Sequence, residues 1–164
     1  MPDDRYPTTA QVVCANLIID DSGILLVRES KPSALGRWSL PAGRLENRES
    51  LREGAEREAL EETGLKVEAR ALLGIYHCAA SLERGSAITF VFRSVVTGGE
   101  LRTTADHPEV GFVPRSEVAS LIAANQIRGT HVALAIAAAD AGIELTDEIV
   151  TEVPASTRPK GETR

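Results

Sequence analysis

GRLENRESLREGAEREALEETGL, the stretch from residue 43 to residue 65, contains the best-defined helix signal in the chain. Ser50 is followed three residues later by Glu53, which is the pattern of a capping box at the start of a helix. Gly64 is well placed to end the same helix, because glycine readily adopts the left-handed conformation that often follows a helix. These signals predict a helix over residues 51–63.

The predicted helix has an apolar side that also carries acidic residues. At about 100° per residue, Leu51, Ala55 and Ala59 fall on one side of the helix, which should therefore face the core. Glu58 and Glu62 lie on that same side. Two carboxylates one turn apart on a core-facing side repel each other and lose hydration, so they either take up protons or bind a cation.

Neighbouring charges extend this acidic cluster. Glu61 lies at the edge of the arc that Glu58 and Glu62 occupy, and Arg57, one turn before Glu61, can pair with it. Glu56 falls on the opposite, outer side of the helix. Glutamate oxygens are hard ligands that suit Mg²⁺ or Mn²⁺. The helix therefore predicts a divalent-cation site built from glutamates.

The spacing of residues around the helix is specific. Glu49 follows Gly43 after five residues, and seven residues later comes the run REALEETGL at 57–65. This spacing matches the Nudix box, G-x5-E-x7-R-E-U-x-E-E-x-G-U, at every fixed position, with Ala59 and Leu65 as the apolar U residues. The chain therefore resembles the Nudix hydrolase family of MutT-like proteins, and the flanking strands extend the resemblance over residues 10–141.

The resemblance implies a fold and a site. The fold is an α/β/α sandwich with a mixed sheet, and the activity is divalent-metal-dependent cleavage of the diphosphate linkage in nucleoside diphosphates joined to another moiety. The implied cofactor is Mg²⁺ or Mn²⁺, held by Glu58, Glu61, Glu62 and the Gly43 carbonyl. The implied catalytic residues are Glu58, Glu61 and Arg57, with Arg57 orienting a glutamate and Glu49 supporting the helix. Many members use a further glutamate outside the box, for which Glu109 and Glu83 are both candidates.

Residues before the box bear on the substrate. The run ESKPSALGRWSLPAGR at 29–44, with FVF at 90–92 and TGG at 97–99, resembles the animal 8-oxo-guanine nucleoside diphosphate hydrolases. Purine nucleoside di- or triphosphates, with oxidised guanine forms among them, are therefore the expected substrates. Trp38 can stack on a base or pack in the core, and Asn125 can read a base edge or end a helix. The candidate substrate-binding residues are Arg37, Trp38, Arg44 and Asn125.

Two alternative functions stay open. An ADP-ribose or nucleotide-sugar pyrophosphatase is one, because some ADP-sugar hydrolases of the family share the alanine of Pro41-Ala42-Gly43. Those enzymes often carry a proline downstream of the box, where this chain has Ser81. The other is a Nudix-fold nucleotide sensor without catalysis. Such proteins usually lack some of the box glutamates, all of which are present here.

The rest of the chain predicts one domain over residues 9–146, between a lead-in at 1–8 and a polar tail at 147–164. Strands are predicted at 10–19, 24–27, 67–79, 87–96 and 110–113, and further helices at 117–124 and 131–141. Residues 42–46 are expected to form an irregular turn, and Gly98 and Gly99 another turn.

Composition limits the class of protein. The 164 residues include 18 Lys and Arg against 24 Asp and Glu, so the net charge is −6. That balance argues against a nucleic-acid partner, and no stretch approaches the ~20 apolar residues of a membrane helix. The acidic N-terminus lacks the apolar region of a secretory signal, so a cytoplasmic location is expected. Cys14 and Cys78 are expected to be free thiols. The oligomeric state stays open, with a homodimer as one alternative.

Overall fold

The computed structural model describes residues 9–79, 85–145 and 149–150. Within these residues the strands are β1 (Ala10–Asp20), β2 (Gly23–Arg28), β3 (Trp38–Ser39), β4 (Ala42–Arg44), β5 (Leu65–Cys78), β6 (Ser86–Gly99) and β7 (Val110–Val113). The α-helices are α1 (Leu51–Thr63), α2 (Arg115–Ala123) and α3 (His131–Asp140). A short 3-10 turn covers Pro32–Ala34.

The strands form one mixed sheet with β1 at its centre. The main path of the sheet is β3-β2-β1-β6-β5, and β4 and β7 join it beside β1 and β2. β1 runs parallel to β6 and antiparallel to β2 and β4. Because β1 is paired on both edges and covered on both faces, every residue from Cys14 to Ile18 is buried. The predicted buried strand and the hairpin that follows it are confirmed.

Asn16 is the polar exception within this buried stretch. Its side chain forms hydrogen bonds with residues of three other segments of the chain. Nδ2 donates to the carbonyl of Ala55 at 2.7 Å and to the carbonyl of Pro41 at 3.3 Å. Oδ1 accepts a hydrogen bond from Oγ of Ser94 at 2.8 Å. A buried amide without partners would cost about 1–3 kcal/mol. These bonds therefore favour the arrangement that brings the middle of α1 and the start of β4 to β1.

α1 begins and ends where the sequence predicts. Oγ of Ser50 accepts from the amide of Glu53 at 3.1 Å, and the Glu53 carboxylate accepts from the amide of Ser50 at 2.8 Å. Gly64 follows the helix with a φ of 78°. Ala55 and Ala59 are fully buried, which confirms the predicted inward side of the helix.

Glu56 departs from the expectation that it would lie on the outer side of α1. The helix packs lengthwise against β5, and Oε1 of Glu56 accepts a hydrogen bond from the backbone N–H of Ala69 at 2.9 Å. The expectation was wrong because a helix that lies on a sheet touches it with its flanks as well as with its apolar stripe. Glu56 therefore has a structural contact with β5.

The other two helices cover the opposite face of the sheet. Val118 of α2 and Val132 of α3 pack in one buried cluster with Ala15, whereas Cys14 packs with Ala55 of α1. Neighbouring residues of a strand point to opposite faces, so β1 separates the two layers. The predicted α/β/α sandwich with a mixed sheet is confirmed.

Two expectations for connecting segments were wrong. The segment expected to be an irregular turn at 42–46 begins with β4, in which Gly43 pairs with Cys14 of β1. Gly98 and Gly99, expected to form a turn, belong to β6, where Gly98 pairs with Lys66. In both places pairing with a neighbouring strand overrides the local preference of glycine for turns.

The chain ends lie largely outside the described residues, including the lead-in at 1–8 and residues 151–164 of the predicted tail. Val150 packs against the cluster that contains Cys14, so contacts with the domain continue at least to that residue. Neither Cys14, which is buried, nor Cys78, which is half-buried, belongs to a disulfide, as expected. Among the helices described, none has the length and apolar character needed to cross a bilayer.

Candidate active site

The inward side of α1 meets β4 at the glutamates that the sequence singles out. Oε2 of Glu62 accepts a hydrogen bond from the backbone N–H of Ala42 at 3.0 Å. The backbone at Gly43 comes so close to Glu58 that a Cβ atom there would lie 2.0 Å from Oε1. The side chains of Glu58 and Glu62 are 12% and 13% exposed. The β4 backbone and two nearly buried carboxylates thus form one surface.

Arg57 connects the members of the Nudix-like box. Its guanidinium donates to both carboxylate oxygens of Glu49, at 2.5 and 3.1 Å, to Oε1 of Glu58 at 2.7 Å and to Oε2 of Glu61 at 3.3 Å. It also donates to the carbonyl of Arg44 at 2.9 Å. The hydrogen bond from Arg57 lowers the pKa of Glu49 and raises that of Arg57 itself. Arg57 therefore holds the loop before α1 against the acidic side of the helix.

Burial sets the protonation of the inward carboxylates. It raises the pKa of Glu62 to about 8, against the opposing hydrogen bond from Ala42. Burial also raises the pKa of Glu58, although the hydrogen bond from Arg57 works in the other direction. A cation near both carboxylates would favour their ionised forms. The side chain of Glu61, which pairs with Arg57 at the same wall, is 59% exposed.

A cavity of about 480 Å³ opens beside these carboxylates. Its lining consists of Lys31, Glu58, Glu61, Glu62, Thr104, Ala105, Asp106 and His107. Nζ of Lys31 lies 3.7 Å from Oδ2 of Asp106 at the rim. The cavity therefore combines a strongly acidic wall with a lysine that can reach an anionic ligand.

The donor set fits a hard divalent cation. Glu58, Glu61 and Glu62 line the same cavity, and carboxylate and carbonyl oxygens are the ligands that Mg²⁺ and Mn²⁺ prefer. The absence of a side chain at Gly43 leaves its backbone open toward Glu58. In the described part of the chain no three His, Cys, Asp or Glu side chains surround a common point. Glu58 and Glu61 face Arg57 instead, so these carboxylates are brought to one wall without being gathered around one atom.

The predicted substrate-binding residues are not brought together at the cavity. Trp38 packs partly against the core cluster around Ala15, and the guanidinium carbon of Arg28 lies 5.8 Å from the centre of its ring. Arg37, Arg44 and Asn125 are exposed. Asn125 follows α2 with a φ of 54°, the left-handed conformation that asparagine tolerates at helix ends.

Of the two candidate carboxylates outside the box, the structure describes Glu109. Glu109 directly precedes β7, and its Oε1 accepts a hydrogen bond from Nη1 of Arg28 at 2.5 Å. Its side chain is 52% exposed. Glu83 lies outside the described residues.

Sequence reasoning missed three residues near the box glutamates. Lys31 and His107 line the cavity, and Glu29 is a buried carboxylate 3.9 Å from His107. One signal existed for Glu29, because it lies two residues after Val27 at the end of the apolar run of β2, and alternate residues of an extended chain share a face. No comparable pattern marks Lys31 or His107, whose positions depend on loop geometry.

Comparisons with known proteins agree with this geometry. The family model of the NUDIX domain matches residues 8–134. The chain is 36% identical to the human 8-oxo-dGDP phosphatase NUDT18 over 121 residues, covering 71% of this chain and 36% of that protein. It is 37% identical to an ADP-ribose pyrophosphatase of Methanocaldococcus jannaschii over 101 residues, covering 62% of this chain and 60% of that one.

The fold comparison gives the same assignment. A NUDIX hydrolase from Nitrosomonas europaea matches with a TM-score of 0.81 and 26% identity, covering 90% of this chain and 100% of that one. The chain spans about a third of the length of the human relative. The two kinds of comparison therefore agree on the family, and they do not assign the activity of any one relative to this chain. By sequence and by fold, the chain belongs to the NUDIX family.

Proposed function

We propose that this protein hydrolyses the diphosphate linkage of nucleoside diphosphate derivatives with the help of a divalent cation. The observation that carries the proposal is the contact surface between α1 and β4, where the nearly buried carboxylates of Glu58 and Glu62 lie beside the backbone of Ala42 and Gly43. Two carboxylates kept on the core-facing side of a helix either take up protons or bind a cation, and a divalent cation bound there with a diphosphate would favour their ionised forms.

The proposed roles follow from the contacts of each residue. Glu58, Glu61, Glu62 and the Gly43 carbonyl would hold Mg²⁺ or Mn²⁺, which neutralises a diphosphate and polarises a phosphoryl oxygen. One of the box glutamates removes a proton from the attacking water. Arg57 orients Glu58 through the 2.7 Å hydrogen bond and Glu61 through the 3.3 Å one, and Glu49 fixes Arg57 in turn. Lys31 is placed to contact substrate oxygens at the rim.

Removing divalent cations is expected to abolish hydrolysis of the nucleotide substrate. Purified protein is incubated with nucleoside di- and triphosphates, dinucleotides and nucleotide sugars in Mg²⁺ or Mn²⁺, and inorganic phosphate, diphosphate and nucleoside monophosphate are measured before and after adding a chelator. Restoring the cation should restore hydrolysis. Activity that continues unchanged in chelator would overturn the cation mechanism, and nucleotide binding without any product would favour the sensor function.

We further propose oxidised purine nucleotides as the substrate class. Two observations support this proposal: the resemblance of residues 29–44 to 8-oxo-guanine nucleotide hydrolases and the 36% identity to a protein named 8-oxo-dGDP phosphatase. We expect kcat/KM for 8-oxo-dGDP to exceed that for ADP-ribose when both are measured under one metal condition, with 8-oxo-dGTP and dGTP as comparisons.

ADP-ribose is the competing substrate, because a relative of similar identity is named ADP-ribose pyrophosphatase. A preference for ADP-ribose of about tenfold, or ~1.4 kcal/mol at the transition state, would reject the purine assignment. That result would leave the proposed cation-dependent hydrolysis intact, since both substrates contain the same diphosphate linkage.

A further inference from the structure

Glu29 is a buried carboxylate beside the candidate active site, and only one of its oxygens is paired. The residue is 5% exposed. Oε1 accepts hydrogen bonds from Oγ of Ser39 at 2.9 Å and from Nη1 of Arg128 at 2.5 Å. Oε2 is buried and has no hydrogen-bond partner within the described part of the chain. An unpaired buried acceptor costs about 1–3 kcal/mol, so its presence requires an explanation.

The side chain that Oε2 of Glu29 faces is the imidazole of His107. Nε2 of His107 lies 3.9 Å from that oxygen and 3.5 Å from Oε1 of Glu62. The imidazole therefore stands between a box glutamate and Glu29. His107 is itself 3% exposed, so little water screens its interactions with the two carboxylates.

The contacts of the second imidazole nitrogen, Nδ1, determine which of the two ring nitrogens carries the hydrogen when His107 is neutral. Nδ1 lies 3.4 Å from Oγ1 of Thr104, and the same hydroxyl oxygen accepts from the backbone N–H of His107 at 3.0 Å. That hydroxyl is free to donate its own hydrogen to Nδ1. The neutral imidazole then carries its hydrogen on Nε2, which is the atom between Glu29 and Glu62.

Strands and a closed turn hold these groups in place. Glu29 follows β2, and Ser39 belongs to β3, which pairs with β2. The backbone N–H of Arg128 donates at 2.7 Å to the carbonyl of the residue before Ser39. Two backbone hydrogen bonds, at 3.0 and 3.2 Å, close the turn from Thr104 to His107. Such rigid support is what a residue needs in order to orient another side chain.

We propose that His107 and Glu29 are positioning residues for Glu62. In this arrangement the Nε2–H of His107 is directed at Oε1 of Glu62 across 3.5 Å, while the N–H of Ala42 donates to Oε2 at 3.0 Å. Glu29, anchored by Arg128, places Oε2 3.9 Å from the same nitrogen and so fixes the position of the imidazole. Glu62 thereby keeps one orientation at the wall of the cavity. This inference rests on the proposed function, in which Glu62 is one of the residues that hold the cation.

The test compares two replacements of His107 that differ in hydrogen bonding. His107→Leu fills the space without a donor, whereas His107→Gln places an amide N–H near the position of Nε2. We expect His107→Leu to lower kcat and the affinity for Mn²⁺, measured by titration calorimetry, by roughly 10–100-fold, as for other partners of metal ligands. KM for the nucleotide should change little. His107→Gln should recover most of both losses, and His77→Leu, at an exposed histidine of β5, should match the wild type.

Glu29→Gln tests the proposed contact between Glu29 and His107. The amide would present an N–H to the N–H of His107, so kcat should fall by about tenfold. The same change should add little in a His107→Leu background, because both residues act through one imidazole. Additive losses would remove Glu29 from the proposal.

Three further outcomes decide the remaining questions. Wild-type kcat and Mn²⁺ affinity in His107→Leu would overturn the positioning role, while leaving the proposed function in place. Equal losses in His107→Leu and His107→Gln, with lowered thermal stability in both, would overturn it in favour of a purely structural histidine. Mn²⁺ binding that depends on His107 in a protein that hydrolyses none of the nucleotides would support positioning and reject the proposed function.

Discussion

Replacing Glu58 or Glu62 with glutamine is expected to lower turnover by roughly 10²–10⁴-fold, the range for loss of an acid–base group. The substitution keeps the shape of the side chain and removes the charge that is proposed to hold the cation. Both side chains are nearly buried, at 12% and 13% exposure, so the change also removes a charge that is costly to bury. The fold should therefore survive. Turnover is measured with Mg²⁺ and the preferred nucleotide, and folding by circular dichroism.

The matched control is Glu117→Gln, at an exposed glutamate of α2. Glu56 is unsuitable as a control, because its carboxylate accepts a hydrogen bond from the backbone of β5. Turnover of Glu117→Gln should equal that of the wild type. If Glu58→Gln and Glu62→Gln also retained wild-type turnover, the inward carboxylates would have no part in the chemistry and the proposed function would lose its main support.

Glu62→Gln is also expected to remove a pH dependence of stability when divalent cations are chelated. In the folded state burial raises the pKa of Glu62 to about 8, whereas an unfolded glutamate titrates near ~4.3. Between these values the folded protein binds more protons than the unfolded chain, so this group makes the free energy of unfolding fall as pH rises. The contribution is fully present below the unfolded pKa and is lost as pH passes through 8. From pH 5 to pH 9 the loss amounts to roughly 3–4 kcal/mol.

The measurement is urea unfolding of the wild type and Glu62→Gln at pH 5 and pH 9 in chelator. The difference between the two proteins should grow with pH in favour of Glu62→Gln, because only the wild type carries the buried carboxylate. Glu117→Gln should follow the wild type at both pH values. If the free energy of unfolding changed with pH in the same way in the wild type and in Glu62→Gln, burial would not raise the pKa of Glu62 in the folded protein.

The parts of the site that the sequence predicts are those built from local structure. The Ser50–Glu53 capping box and Gly64 lie at the ends of α1 itself, and helical periodicity alone places Glu58 and Glu62 on the inward side. Apolar runs likewise predict β1 and β2, since a strand buried on both faces has a nearly continuous apolar stretch. These features were confirmed because no distant residue is needed to create them.

The parts that the sequence does not predict depend on distant pairings. β4 is a strand because Gly43 pairs with Cys14, and its own sequence is equally compatible with a turn. Glu29 is a buried carboxylate because β3 brings Ser39 to it and the segment between α2 and α3 brings Arg128 to it. The position of His107 depends on a turn whose shape no local motif indicates. As substrate-binding residues, the four candidates stay predictions: Arg37, Trp38, Arg44 and Asn125.

The ion pair between Glu29 and Arg128 joins residues 99 positions apart, which has a consequence for the order of folding. Closing so long a loop is slow compared with forming a helix such as α1. During synthesis, Glu29 emerges from the ribosome long before Arg128 does, and its carboxylate must stay hydrated until that counter-ion arrives. The buried ion pair beside the candidate active site is therefore completed late, after most of the domain has been translated, and a nascent chain that ends before residue 128 does not contain it.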